Sequence, residues 1–258
     1  MIPTVYDLRA FYKSFGGRIV RRLVREKLLA FWPDAKSLRL LGGGYALPYL
    51  RPYREGGSER TIAVMFKGQG VHHWPEENGA LNLACLADET DLPFETNSVD
   101  RIILIHSLEF TGYLKPAFEE FWRVLKSNGR ILIVVPNRIG FWSRAEWTPF
   151  GRGAPYSAAQ VEEFLRENLF IPERTERGLF IPPFKSQTLL RSANFWEKIG
   201  PYLFPAMGGL LFVEGSKQIY AGTGKRIAVG KGKSKLIPAR APEFPEPASN
   251  APHHRKKF

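Results

Sequence analysis

The chain has 258 residues, 44% of them hydrophobic and 24% charged, with 24 glycines, 20 prolines and one cysteine. That length suits one α/β domain with tails, or at most two small domains. No apolar run approaches the roughly 18 residues of a membrane-spanning helix, and the lone Cys85 excludes an internal disulfide and any cysteine-based metal site.

The formal charge of +12 sits entirely at the two ends. Residues 1–36 hold eight Lys/Arg against three acids, residues 222–258 hold nine against two, and residues 37–221 balance. Three segments follow: a basic amphipathic helical segment over 1–36, an α/β domain over 37–221, and a tail over 222–258. The tail is rich in Gly, Pro and Lys, and its composition predicts disorder. Attraction to nucleic acid or an anionic surface belongs to the termini. Residues 1–30 lack the apolar centre of a secretory signal. They are Arg-rich like a transit peptide but poor in serine, and the single cysteine makes a reducing cytoplasm the expected setting.

Tyr6–Phe31 predicts a helix with a weak point at Gly16-Gly17. Leu8, Phe11, Tyr12 and Phe15 share one face before it. Ile19, Val20, Leu23 and Val24 share one after it, with Arg18, Arg21, Arg22 and Arg25 opposite. Leu38–Leu41 predicts a first strand running into Gly42-Gly43-Gly44, and a helix starts over Ala46–Leu50, where Pro48 is tolerated only in a first turn. Thr61–Phe66, Leu81–Leu86 and Arg101–Ile105 are the next strands. A helix over Pro116–Leu125, closed by Asn128-Gly129, leads to a fifth strand, Arg130–Val135. Ser157 and Gln160 form a capping box for a helix from Ala158 to about Asn168. A sixth strand lies within Arg174–Ile181, a helix near Gln187–Ile199, and a last strand near Leu210–Tyr220. This alternation predicts a doubly wound, mostly parallel seven-stranded sheet preceded by an amphipathic helix. Cys85, in the apolar stretch Leu81–Leu86, is expected to be a small buried hydrophobe.

Ligands of open α/β sheets sit at the carboxyl ends of the strands. Glycines after a first strand let a backbone approach a ligand, but a dinucleotide fingerprint needs a further glycine where Leu47 stands. His106, at the end of the fourth strand, is the candidate base near neutral pH. Its alternative role is packing or capping, while Glu109 is expected to face solvent or cap a helix. The loop over residues 136–151 interleaves aromatic and cationic residues. Asn137, Arg138, Trp142 and Arg144 in it are candidates to border an acidic or aromatic acceptor, or single-stranded nucleic acid. The alternative is a loop packed on itself. His72-His73 and His253-His254 are adjacent pairs that point apart, so no metal site is expected. Ser107 lacks a triad spacing.

Taken together, the Gly-rich loop, Ala87-Asp88-Glu89-Thr90 before Leu92-Pro93-Phe94, Ser98-Val99-Asp100, and the paired strands resemble a class I S-adenosylmethionine (SAM) methyltransferase of the type 11 group, over roughly residues 38–170. The resemblance implies a Rossmann-like methyltransferase fold and SAM as cofactor. It implies that Gly42, Gly43, Gly44, Ala46, Met65, Asp88, Glu89 and His106 border that cofactor, with Asp88 accepting from the adenine amino group. Three departures stand out. Ala46 replaces the third glycine, Leu40 stands where the family has an acid, and Met65-Phe66-Lys67 lacks the acid that takes the ribose hydroxyls. The expected activity is methyl transfer, with His106 as the catalytic candidate and a small molecule as acceptor. Open alternatives are an inactive methyltransferase-like scaffold, and an RNA-directed methyltransferase or RNA-binding protein.

Overall fold

Thr4 and Ser14 decide how the folded chain begins. In a computed structural model that describes residues 2–77 and 79–218, the Thr4 hydroxyl accepts from the Asp7 amide at 3.3 Å and the Asp7 carboxylate accepts from the Thr4 amide at 3.0 Å. This capping box starts α1 (Val5–Lys13). Ser14 is extended at φ −64°, ψ 163°, and its hydroxyl accepts from the Gly17 amide at 3.0 Å, which starts α2 (Phe15–Phe31). The break expected at Gly16-Gly17 therefore falls at Ser14, because a serine side chain supplies the cap that restarts the helix. Gly17 matters for a different reason. A Cβ there would lie 1.9 Å from the Phe11 carbonyl oxygen. Only glycine allows α1 to fold back so closely onto α2.

The remaining elements are β1 (Arg39–Gly44), α3 (Leu47–Glu55), β2 (Arg60–Phe66), β3 (Ala84–Ala87), β4 (Val99–Ile105), α4 (Leu114–Val124), β5 (Leu125–Pro136), α5 (Ala158–Glu167), β6 (Phe170–Gly178), α6 (Gln187–Leu190), α7 (Ala193–Leu203) and β7 (Leu210–Lys217). One sheet runs in the order β3-β2-β1-β4-β5-β7-β6. Its first five strands are parallel, and β7 is antiparallel to both β5 and β6. The expected mostly parallel, seven-stranded Rossmann-like sheet is thus the one that forms. Parallel strands bury both faces, which is why they read as continuous apolar runs. Ile103, Ile105, Leu132 and Val134 face the core shared with α1, α2 and α3. Ile102, Leu104, Ile131 and Ile133 face the core shared with α4 and α5.

Several boundaries differ from expectation, each for a tertiary reason. β1 runs on through the glycines, because Gly42, Gly43 and Gly44 pair with Ile103, Leu104 and Ile105 of β4. β3 starts at Ala84 rather than Leu81: the Asn82 side chain accepts from the Trp74 and Ala84 amides, and Leu83 meets β2 only through its carbonyl, which accepts from the Ala63 amide at 2.8 Å. Asn128 and Gly129 lie inside β5 rather than ahead of it, with Asn128 at φ 62°, a conformation asparagine tolerates. β6 begins at Phe170, since β7 pairs with it from there to Gly178. The helix expected over Gln187–Ile199 is two, α6 and α7. Cys85 is half-buried rather than buried because β3 is the edge strand, and burial still pushes its thiol up. No helix among the described residues is long and apolar enough to cross a membrane. The tail over 222–258 lies outside the described residues.

Candidate functional site

The strand order reverses between β1 and β4, and the crevice outside their carboxyl ends is where an open α/β sheet takes a ligand. Gly44 ends β1 at φ 72°, where a Cβ would lie 2.4 Å from the Ile105 carbonyl oxygen. This position accepts only glycine without strain. The Tyr45 amide then donates to that same carbonyl at 2.8 Å. Opposite, His106 ends β4 in the left-handed region at φ 52°, a conformation that neighbours must enforce.

Those neighbours are tyrosines and a glutamate. The Tyr49 hydroxyl donates to the Tyr12 hydroxyl at 3.0 Å, and the Tyr12 hydroxyl lies 2.8 Å from His106 Nε2. With its oxygen accepting from Tyr49, Tyr12 donates its own proton to Nε2, which places the imidazole proton on Nδ1. Nδ1 faces Glu109 Oε1 at 3.3 Å. Glu109 Oε2 accepts from the Ser107 amide at 3.1 Å. Glu109, expected to face solvent or cap a helix, is buried, because the chain after β4 turns it back under His106. The Tyr12 ring stacks on Tyr45 at 5.7 Å and 15°, and Phe150 covers His106 at 4.7 Å. Burial pushes Tyr12, Tyr45 and Tyr49 well above the ordinary phenol range.

The loop after β2 closes the other side. Gln69 Nε2 donates to the His106 carbonyl, and the Val5 amide donates to the Gln69 carbonyl at 2.8 Å. The start of α1 is thereby tied to the end of β4. Asp88 lies after β3. Its Oδ1 accepts from the Thr90 amide at 3.0 Å and hydroxyl at 2.7 Å, while Lys67 donates to its Oδ2 at 3.3 Å. The Thr90 amide and hydroxyl, then Lys67, hold its carboxyl below the usual range. Glu89 follows it, half-buried. Met65 is fully buried in the core under α1, α2 and α3. Asp100 accepts from the Arg39 amide and pairs with Lys126, tying strand starts together.

The loop after β5 is packed against the segments before β7 and after β6 and against α1. Asn137 donates to the carbonyls of Ala206 and Gly208, Arg138 to that of Pro155, and Trp142 is buried with its Nε1 donating to Ile181. Arg144 is exposed. A cavity of about 490 Å³ opens between this loop and α1, lined by Phe11, Trp142, Trp147, Arg152, Phe184 and Lys185 among others. Phe150 separates it from His106.

SAM requires a hollow against the glycine loop and acceptors for its ribose hydroxyls. Gly42, Gly43, Gly44, Tyr45 and Ala46 are all buried by protein. A cavity of about 350 Å³ among the described residues reaches Tyr12, Tyr45 and Leu47, but its lining does not include Gly42, Gly43, Gly44, Ala46, Asp88 or His106. The end of β2 offers the cation Lys67, already engaged with Asp88. As folded, these residues do not fit the cofactor. Sequence reasoning placed Tyr12 on the apolar face of its helix but did not place it, Gln69 or Tyr49 at this crevice. Nothing in the sequence joins residues 37 to 94 positions apart.

A family description reading "Methyltransferase domain" matches residues 41–133. No curated protein matches the sequence. Among solved structures, an S-adenosylmethionine-dependent methyltransferase from Mesorhizobium loti superposes with a TM-score of 0.56 at 13% identity, covering 74% of this chain and 96% of that one. A SAM-dependent methyltransferase from Archaeoglobus fulgidus does so at 0.55 and 17%, covering 76% and 94%. A Haloferax volcanii chain solved in complex with the Trm112 methyltransferase activator does so at 0.57 and 16%, covering 83% and 99%. Residues 41–133 thus match a methyltransferase domain, and the chain has the fold of S-adenosylmethionine-dependent methyltransferases.

Proposed function

We propose that the protein transfers a methyl group to a small-molecule acceptor in the cytoplasm. The observation that carries the acceptor class is the 490 Å³ cavity between α1 and the loop after β5. That volume suits a small ligand rather than a polymer. Its aromatic walls (Phe11, Trp142, Trp147 and Phe184) and its cations Arg152 and Lys185 favour an aromatic or acidic acceptor. Asp7, the acid lining it, is engaged with Thr4. His106 is the candidate base, and it reaches an acceptor in this cavity only when Tyr12 releases Nε2 and Phe150 moves aside. The test incubates the protein with methyl-labelled SAM and a small-molecule extract, and follows label into small products. Label confined to protein or RNA would overturn the acceptor class.

The filled glycine loop favours a second reading, a methyltransferase-fold module that binds partners without turning over SAM. Calorimetry with S-adenosylhomocysteine separates the two. Absence of binding at millimolar concentration selects the second.

A further inference from the structure

We propose that α1 is a displaceable plug: Tyr12 and Gln69 occupy the crevice between β1 and β4 and leave it when the cofactor binds. This rests on the SAM-dependent reading above.

Two observations carry it. The crevice at the point of strand reversal is filled by side chains from outside the sheet. Tyr12 reaches in from α1, stacks on Tyr45 and bonds His106, while Gln69 reaches in from the loop after β2. The filling is also polar and incompletely satisfied. Gln69 Oε1 is buried with no hydrogen-bond partner among the described residues, and His106 Nδ1 and Glu109 Oε1 face only each other, 3.3 Å apart. Permanent cores avoid such orphans, because each costs its full desolvation. A crevice built for a polar ligand keeps them.

The attachment of α1 suits such a movement. It joins α2 through the single extended residue Ser14, which already caps α2 independently of α1. At its other end the Val5 amide is held by the Gln69 carbonyl, so displacement of Gln69 loosens α1 and displacement of α1 frees Gln69. The nine residues of α1 are too few for a helix that is stable alone. Its place therefore depends on tertiary contacts: Tyr12 in the crevice, Val5 and Leu8 in the core, and Arg9 paired with Glu76 at 3.0 Å.

The experiment titrates S-adenosylhomocysteine into the full chain and into Tyr12→Ala and Tyr12→Phe, with a thermal melt of each. A plug predicts that Tyr12→Ala binds at least tenfold tighter, about 1.4 kcal/mol, despite a lower Tm, and that Tyr12→Phe lies between it and the wild type. A merely structural Tyr12 predicts that affinity falls with Tm. Backbone amide exchange on α1 of the wild type, with and without S-adenosylhomocysteine, needs no variant: the plug predicts faster exchange with ligand bound. Measurable binding that is equal or weaker in the variants, with α1 exchange unchanged, overturns the plug and leaves the cofactor reading standing. No binding by any of the three proteins at millimolar ligand overturns both.

Discussion

The Tyr12 hydroxyl lies 2.8 Å from His106 Nε2, joining a helix at the start of the chain to the end of the central strand β4 across 94 positions of sequence. This one bond orders the crevice. It sets the imidazole tautomer, aims Nδ1 at Glu109 and covers the backbone that follows β1.

Tyr12→Phe keeps the ring packing and removes the hydroxyl, leaving His106 Nε2 buried without a donor and Tyr49 without its acceptor. Unfolding in urea is expected to show a loss of about 1–3 kcal/mol. Tyr49→Phe, which removes only the outer member, is expected to lose less. Equal losses would mean that His106 does not depend on Tyr12.

Gly44→Ala places a methyl 2.4 Å from the Ile105 carbonyl in a residue at φ 72°. Strain of about 1–2 kcal/mol from the left-handed backbone alone, plus the clash, is expected to appear as a lowered Tm. An unchanged Tm would show that the end of β1 relaxes to another conformation.

Lys217, on β7, is fully buried, and its ammonium donates to Asn97 Oδ1, the Trp122 carbonyl and the Leu125 carbonyl at 2.6–2.9 Å. All three of its donors are thereby used at the junction of α4 and β5. Lys217→Met fills similar space but leaves those acceptors without a partner. Chemical denaturation is expected to register about 2 kcal/mol. A neutral result would mean that water replaces the ammonium.

Burial pushes Glu197 above the ordinary carboxyl range, although the amides of Ile181, Phe180 and Leu179 oppose the shift. A carboxyl raised in the folded state binds its proton more tightly there than when unfolded. Its contribution is full below the unfolded value and is lost as pH rises through the folded value. Glu197→Gln keeps an oxygen for the Ile181 amide, which Glu197 Oε1 accepts at 3.1 Å, and removes the titration. Thermal melts across pH 4 to 8 are expected to show the wild type losing Tm relative to Glu197→Gln as pH rises. Parallel curves would remove Glu197 as the cause.

The parallel strands and the capping box at Ser157 were legible in sequence because their causes are local. Apolar runs mark strands buried on both faces, and a serine with a glutamine three residues on caps its own helix. The absence of acids at Leu40 and at Met65–Lys67 was equally legible. Tertiary structure alone decided that the first helix breaks at Ser14, that β1 continues through its glycines, and that Glu109 turns inward. It also decided what fills the crevice. Tyr12, Gln69 and His106 meet only because the sheet order brings the ends of β1, β2 and β4 together under α1, and contacts between distant residues leave no periodicity in the chain. The sequence by itself thus determined the architecture and where a ligand crevice must lie. Packing decided that the crevice is closed by the protein's own side chains, since a buried polar network forms wherever the fold gathers its members.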